Sequence, residues 1–362
     1  MSGTSRRWKI VASLVSFALI GSGLHFAYTT GFFGHDELCG DLVDPRSVES
    51  ALPHLGRISS GGAHATGPRL SMDCRISRTS ALPGFADQEL HVYTSVDRAD
   101  FPFTHGGSAY ASTTTFFSGG SSGAVTGAYQ AWTWLPPACS DRDLVRVVAT
   151  VTSEHPADRR ALAGLTVDTA NRLMDGAGCD APRLTAPSAV GSAPDERRSD
   201  PQALCGVDGF SLPASSTGPT ANVREIAPAS RGPVWSCFVA LDDDSGESAR
   251  GRGFATYAVV QEPALVAGMK RSDAFSENSP VAGWKVSGFD DLHVVADCDG
   301  TDTYFAMEVG PQLTRTWEVP GSPGSSDLFA AFVSAVGEEY GCSGITGQRT
   351  ATPVVDDEGG AG

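Results

Sequence analysis

The stretch Gly119-Gly120-Ser121-Ser122-Gly123 has the GxSxG spacing of a hydrolase nucleophile. That spacing supports chemistry only where a buried strand turns sharply into a helix and lifts the serine hydroxyl toward a base. Ser, Thr and Gly surround it here and a strand-like stretch follows, so the sequence predicts a flexible loop. Two acidic groups, Asp242-Asp243-Asp244 with Glu247, and Asp297 with Asp299 and Asp302, suggest calcium. Calcium loops require oxygens in fixed alternation and a distant bidentate acid. Neither group completes that pattern, and both read as hairpin turns. The 8 histidines are scattered without an HExxH pair, and His91 and His293 fall on expected strands as structural residues. Trp132 and Trp134, near Tyr129, point to one face of a strand. Core packing is the expectation for them, and an exposed platform for glycan or peptide is the alternative. No catalytic residue, metal ligand or cofactor is therefore expected.

The cysteines carry the clearest pattern. Cys39, Cys74, Cys139 and Cys179 are spaced by 35, 65 and 40 residues; Cys205, Cys237, Cys298 and Cys342 by 32, 61 and 44. No CxxC pair occurs, which disfavours zinc ribbons and thioredoxin-like redox motifs. Leu38-Cys39-Gly40 corresponds to Leu204-Cys205-Gly206, Val125-Thr126-Gly127 to Val286-Ser287-Gly288, and Gly178-Cys179 to Gly341-Cys342. These matches predict an internal duplication. Within each set three pairings exist; the simplest joins first to second and third to fourth. Widely spaced, even-numbered cysteines suit disulfides in an oxidising compartment.

The N-terminus predicts how the chain reaches such a compartment. Arg6, Arg7 and Lys9 precede Ile10 to Phe33, 24 residues without Asp, Glu, Lys or Arg. As a helix this stretch reaches about 36 Å, enough for a bilayer core of about 30 Å. The basic side stays cytoplasmic. A retained signal anchor is expected, with a cleaved signal peptide ending near Gly21-Ser22-Gly23 as the rival. The bulk of the chain is then extracytoplasmic. With 26 basic against 42 acidic side chains, a formal net charge of -16, nucleic acid is excluded as an expected partner.

The elements that position these residues follow in outline. Asp44 caps a short helix from Pro45 to Leu52. The second set lacks it, and Gly206 to Pro219 reads as loop. One hairpin runs from Met72–Ile76 to Leu90–Tyr93, matched by Val234–Val239 to Phe254–Val259. Another runs from Ala131–Leu135 to Leu144–Val151, matched by Leu292–Ala296 to Tyr304–Val309 through Asp299-Gly300. Leu162, Leu165, Ala170, Leu173 and Met174 share a helical face, as do Leu328, Phe332, Ala335 and Val336 with Ser326 as cap.

The fold class is therefore α+β: two tandem copies of an antiparallel sheet of about four strands packed with helices, each with two disulfides, after an N-terminal transmembrane helix. The expected organisation is a cytoplasmic stub at 1–9, the anchor at 10–33, a first unit at 38–180, a linker at 181–203, a second unit at 204–343, and a disordered acidic tail at 344–362. The anchor, the Leu-Cys-Gly starts, the strand cysteines and the helix-Gly-Cys ends resemble actinobacterial exported proteins of unknown function. Some lipoproteins of that group are similar in fold to the photosystem protein PsbP, although no lipid-attachment cysteine is present here. The resemblance implies a binding or envelope role and supplies no site residue. The expectation is a membrane-anchored protein with noncatalytic binding or sensing domains. The membrane is its one expected partner from sequence, and an envelope protein or glycan is the candidate ligand. An assembly role in the envelope is the alternative, and a hydrolase with an unrecognised site ranks last.

Overall fold

A computed structural model describes residues 16, 19–23, 37–52, 56–61, 70–79, 87–97, 114–140, 144–213, 222–242, 253–316 and 322–345. In the first unit, α1 (Pro45–Ala51) starts where expected: the Asp44 carboxylate accepts the Arg46 N–H at 3.0 Å, and Pro45 occupies the first turn. Seven strands follow: β1 (Arg57–Gly61), β2 (Asp73–Thr79), β3 (Gln88–Asp97), β4 (Thr114–Phe117), β5 (Gly123–Thr126), β6 (Gln130–Trp134) and β7 (Leu144–Thr152). They form one antiparallel sheet in the order β1-β2-β3-β7-β6-β5-β4. Helix α2 (Arg159–Ala177) closes the unit. Asp158 caps it, and Gly178 stops it in a left-handed conformation at φ 66°.

The second unit contains β8 (Arg197–Arg198), β9 (Val223–Ile226), β10 (Val234–Leu241), β11 (Ala255–Val260), α3 (Pro263–Met269), β12 (Ser287–Asp290), β13 (His293–Cys298), β14 (Thr301–Val309), α4 (Pro311–Thr316) and α5 (Ser325–Glu339). Its sheet has the order β12-β13-β14-β11-β10-β9-β8. Read from the other edge, β9-β10-β11-β14-β13-β12 follows the same path as β1-β2-β3-β7-β6-β5. The β13–β14 hairpin turns at Asp299 (φ 50°) and Gly300 (φ 82°), as the Asp-Gly pair predicts.

Both α+β units and all four disulfides agree with expectation. The bonds are Cys39–Cys74, Cys139–Cys179, Cys205–Cys237 and Cys298–Cys342. Each Leu-Cys-Gly start bends through left-handed Cys and Gly, with φ 57° and 64° at Cys39-Gly40 and 63° and 67° at Cys205-Gly206, and Asp41 extends the first run at φ 68°. The strand count differs from expectation: each sheet has seven strands rather than about four. The unforeseen strands are short, and β1 (RISSG) is a mostly exposed edge with too few apolar residues to show alternation. Helix α5 is capped at Gly324, not at Ser326. The Ser326 hydroxyl instead bonds the Asp291 carboxylate, and the Asp327 carboxylate accepts the Gly324 N–H at 3.3 Å.

Alternation along the strands divides the apolar residues between two faces of each sheet. Cys74, Ile76, Leu90, Val92, Val147 and Val151 face α1 and α2, with Leu162, Leu165 and Met174 completing that core. Trp235, Tyr257, Phe305 and Met307 face α5 through Phe329 and Phe332. The other faces meet each other: Ala124, Trp132, Trp134 and Val148 share one buried cluster with Ala258, Val260, Leu265 and Tyr304. The layers thus run helix, sheet, sheet, helix. The linker expected at 181–203 is docked along most of its length rather than free. Asn171 fastens it by donating to the Leu184 carbonyl and accepting the Leu184 N–H. Arg159 donates to the Gly191 carbonyl at 2.8 Å, and β8 then joins the second sheet beside β9.

Of the expected anchor at 10–33, only Ser16 and Leu19–Gly23 are described; they are helical and exposed. Among the described residues no helix is long and apolar enough to cross a membrane. The stub at 1–9 and the tail beyond Ile345 lie outside the described residues.

Candidate binding site

The structure separates the residues that suggested chemistry. Ser121 is buried in the β4–β5 turn, and its hydroxyl donates to the Thr185 carbonyl at 2.7 Å. Its elbow joins two strands and no helix follows, so the serine lacks the architecture that exposes a nucleophile. Asp297 accepts the Gly300 N–H inside its hairpin turn, and Asp302 pairs with Lys270 at 2.8 Å. Asp243, Asp244 and Glu247 lie outside the described residues. Among the described residues no group of three or more His, Cys, Asp or Glu side chains is placed to hold a metal.

The two strand histidines serve local hydrogen bonds. His91 meets Asp73 at 2.9 Å and stacks on Tyr93. His293 meets Asp290 at 2.7 Å. Burial alone would raise the Asp290 pKa, but the His293 hydrogen bond and charge, with the Leu292 and His293 N–H groups, lower it below the usual carboxylate value. Trp132 and Trp134 are packed edge to face at 4.4 Å between the sheets, with 0% and 2% exposure. They form no surface platform; Tyr129 alone of the three is exposed, at 44%.

A concave site lies elsewhere, on the first unit. A cleft of about 650 Å³ opens between α1, the first half of α2 and the strap at 186–188. Arg46, Ser47 and Ser50 contribute one wall; Asp158, Arg160 and Asp168 contribute another; Ala186, Pro187 and Ser188 contribute the third. Gly164 and Leu165 lie at the base. Local structure fixes these walls. The Asp44 cap sets the start of α1, and the Asp158 cap sets the start of α2 by accepting the Ala161 N–H at 2.7 Å. The Ala51 carbonyl accepts the Asp158 N–H at 3.1 Å, and the Ser47 hydroxyl donates to Asp168 at 2.8 Å. Both contacts lock α1 to α2. Asn171 and Arg159 hold the strap from the far side, and burial lowers the Arg159 pKa from its ordinary value.

Both cleft carboxylates are thus engaged by protein donors. The guanidinium groups of Arg46 and Arg160 are not: neither has an ion pair or hydrogen bond among the described residues. Volume, polarity and a partly apolar base suit capture of a small molecule. This three-walled arrangement is built entirely from residues of the first unit and the strap. Sequence reasoning placed Arg46, Ser47 and Ser50 on a helix but did not connect them to Asp168, 121 residues from Ser47. The caps at Asp44 and Asp158 were local signals for two walls; no signal marked the strap. No family model, curated protein or solved structure matches this chain.

Proposed function

We propose that this is an extracytoplasmic, membrane-anchored protein made of two duplicated α+β units, and that its first unit captures a small ligand without transforming it. The cleft between α1, α2 and the strap carries the reading. The shared strand path, the paired left-handed Leu-Cys-Gly starts and the matching disulfides support duplication. The charge-free Ile10–Phe33 stretch supports the anchor, and four disulfides support an oxidising location. The resemblance to actinobacterial exported proteins is consistent with this role and adds no residue to it.

Blocking the cleft tests the capture. A Cβ built on Gly164 meets nothing within 4 Å, so Gly164→Trp fills the cleft without clashing at the backbone. A thermal-shift screen of acids, sugars and short peptides against the wild-type protein should give stabilising compounds. Gly164→Trp should abolish their effect while leaving the unliganded melting temperature within a few degrees. Ligands that bind both proteins equally well would remove the cleft from the proposal. Protease shaving of intact cells, with nonreducing peptide mapping of the recovered fragments, tests the topology. Soluble, reduced protein inside the cell would overturn it.

A further inference from the structure

The chemistry of the cleft narrows the ligand class; this step rests on the capture proposed above. We propose that the cleft recognises a single oxyanion, a carboxylate or phosphate, between Arg46 and Arg160, with a short apolar body seated against Ala161 and Pro187.

Four charged side chains line the cleft, and their states differ. Asp158 spends one oxygen on the Ala161 N–H, and Asp168 accepts from Ser47 at 2.8 Å. Those bonds hold the carboxylates in structural roles. Arg46 and Arg160 have no such partner among the described residues, in a protein whose other arginines frequently do. Arg75 pairs with Glu89, Arg172 with Asp41, and Arg183 with Asp175. Each guanidinium presents a planar fork of donors and no acceptor, a shape that fits a carboxylate or phosphate edge. Two forks lining one open cleft offer an oxyanion more donors than either alone.

The surroundings limit the charge of the ligand. Asp158 and Asp168 lie within the same walls, so a second negative group on the ligand would meet carboxylates instead of cations. The net charge of -16 also repels polyanions at long range. A monoanionic head satisfies the two arginines without that penalty. The remaining lining includes Ala161, Ala186 and Pro187, which match a small aliphatic body. The space is far too small for a folded partner and lacks the positive field that nucleic acid requires.

The test is a titration of the folded protein followed by backbone amide NMR. The probes are butanoate, propyl phosphate, inorganic phosphate, butylamine and N-acetylglucosamine. Butanoate or propyl phosphate should produce saturable shifts confined to amides of 46–50, 158–165 and 186–188. A preference between them separates a carboxylate source from a phosphate source. Arg46→Ala and Arg160→Ala should each weaken the response about tenfold, the loss expected for one charge-assisted contact. Both arginines are exposed, so the variants should keep the wild-type melting temperature. Arg75→Ala, in an exposed pair on the first sheet, should leave the response unchanged. Undiminished anion shifts in the double variant Arg46→Ala/Arg160→Ala would overturn the assignment. Cleft shifts with butylamine or N-acetylglucosamine and none with either anion would overturn it too, while leaving ligand capture intact. Silence from every probe, with no cleft-dependent compound in the thermal-shift screen, would remove both.

Discussion

Trp132 and His293 occupy the same register position in the two sheets. Cys74 lies opposite Val92, Val92 opposite Ala149, and Ala149 opposite Ala131, the residue before Trp132. Cys237 lies opposite Tyr257, and Tyr257 opposite Met307, whose N–H bonds the carbonyl of Leu292, the residue before His293. By strand alternation both side chains face the seam between the sheets. There they do different work. Trp132 is fully buried with Arg146 above its ring at 5.6 Å, whereas His293 bonds Asp290 and lies over Tyr304.

That seam joins the two units, so its largest side chain should matter to both. Trp132→Ala should lower unfolding free energy by about 3 to 5 kcal/mol, the usual range for emptying a buried aromatic site. Urea unfolding followed by circular dichroism measures it. A loss below about 1 kcal/mol would mean that the seam is not close-packed around this ring.

Glu225 should be nearly as sensitive for another reason. Its carboxylate is 2% exposed and accepts from Arg197, Ser199 and the Cys205 N–H. Three donors thus tie β8 and the second Leu-Cys-Gly start to β9. Glu225→Gln leaves the Arg197 charge without its counterpart and should cost about 3 kcal/mol. Hydrogen exchange should quicken at Arg197–Ser199 before it quickens in β10 or β11. Uniform destabilisation, with no local change there, would contradict this account.

Local chemistry made part of this fold legible. Asp44-Pro45, Asp299-Gly300 and the paired cysteines each state their structure within a few residues, because caps, turns and loop closures are short-range signals. Trp132 and Trp134 could be assigned to one strand face, but not to a seam, since the covering residues Val260 and Leu265 lie far along the chain. The strap reads as linker because Pro, Ala and Ser describe composition, while its anchors, Asn171, Arg159 and Ser121, lie in distant segments. The cleft was illegible for the same reason. Its walls come from three separated segments, and none has unusual composition alone.

Ser121 should prove structural. Its hydroxyl is committed to the Thr185 carbonyl, so a fluorophosphonate probe for active serines should not label it. Ser121→Ala should cost about 1 kcal/mol, the value of one hydrogen bond, and should loosen the strap near Thr185. Stoichiometric labelling that disappears in Ser121→Ala would restore the hydrolase alternative.

The Asp290–His293 pair predicts an acid response. The Asp290 pKa is lowered on folding, so the folded state binds that proton less readily than the unfolded chain. The resulting stability is fully present above the ordinary carboxylate value. It is lost as pH falls through that value toward the lower folded one. Asp290→Asn should flatten this part of the stability profile between about pH 5 and 2 and leave the neutral region comparatively level. Unfolding midpoints measured across that range provide the comparison. Parallel wild-type and variant profiles would show that the pair does not couple to folding.

Gly164 offers a way to separate stability from capture. It sits within α2, where glycine is less favourable than alanine by about 0.5 to 1 kcal/mol, and a Cβ there meets nothing within 4 Å. Gly164→Ala should therefore raise unfolding free energy by about that amount, since it adds helix propensity without a clash. The added methyl group enters the base of the cleft, whereas the indole of Gly164→Trp occupies much of it. Alanine should stabilise the protein while reducing ligand affinity only slightly, and tryptophan should remove binding altogether. Gly164 lies in the interior of a nineteen-residue helix, and the capture proposal predicts that the open space beside it matters to the ligand. If Gly164→Ala is destabilising, the cleft base is tighter than its geometry indicates. If Gly164→Trp retains full binding, the ligand sits outside it.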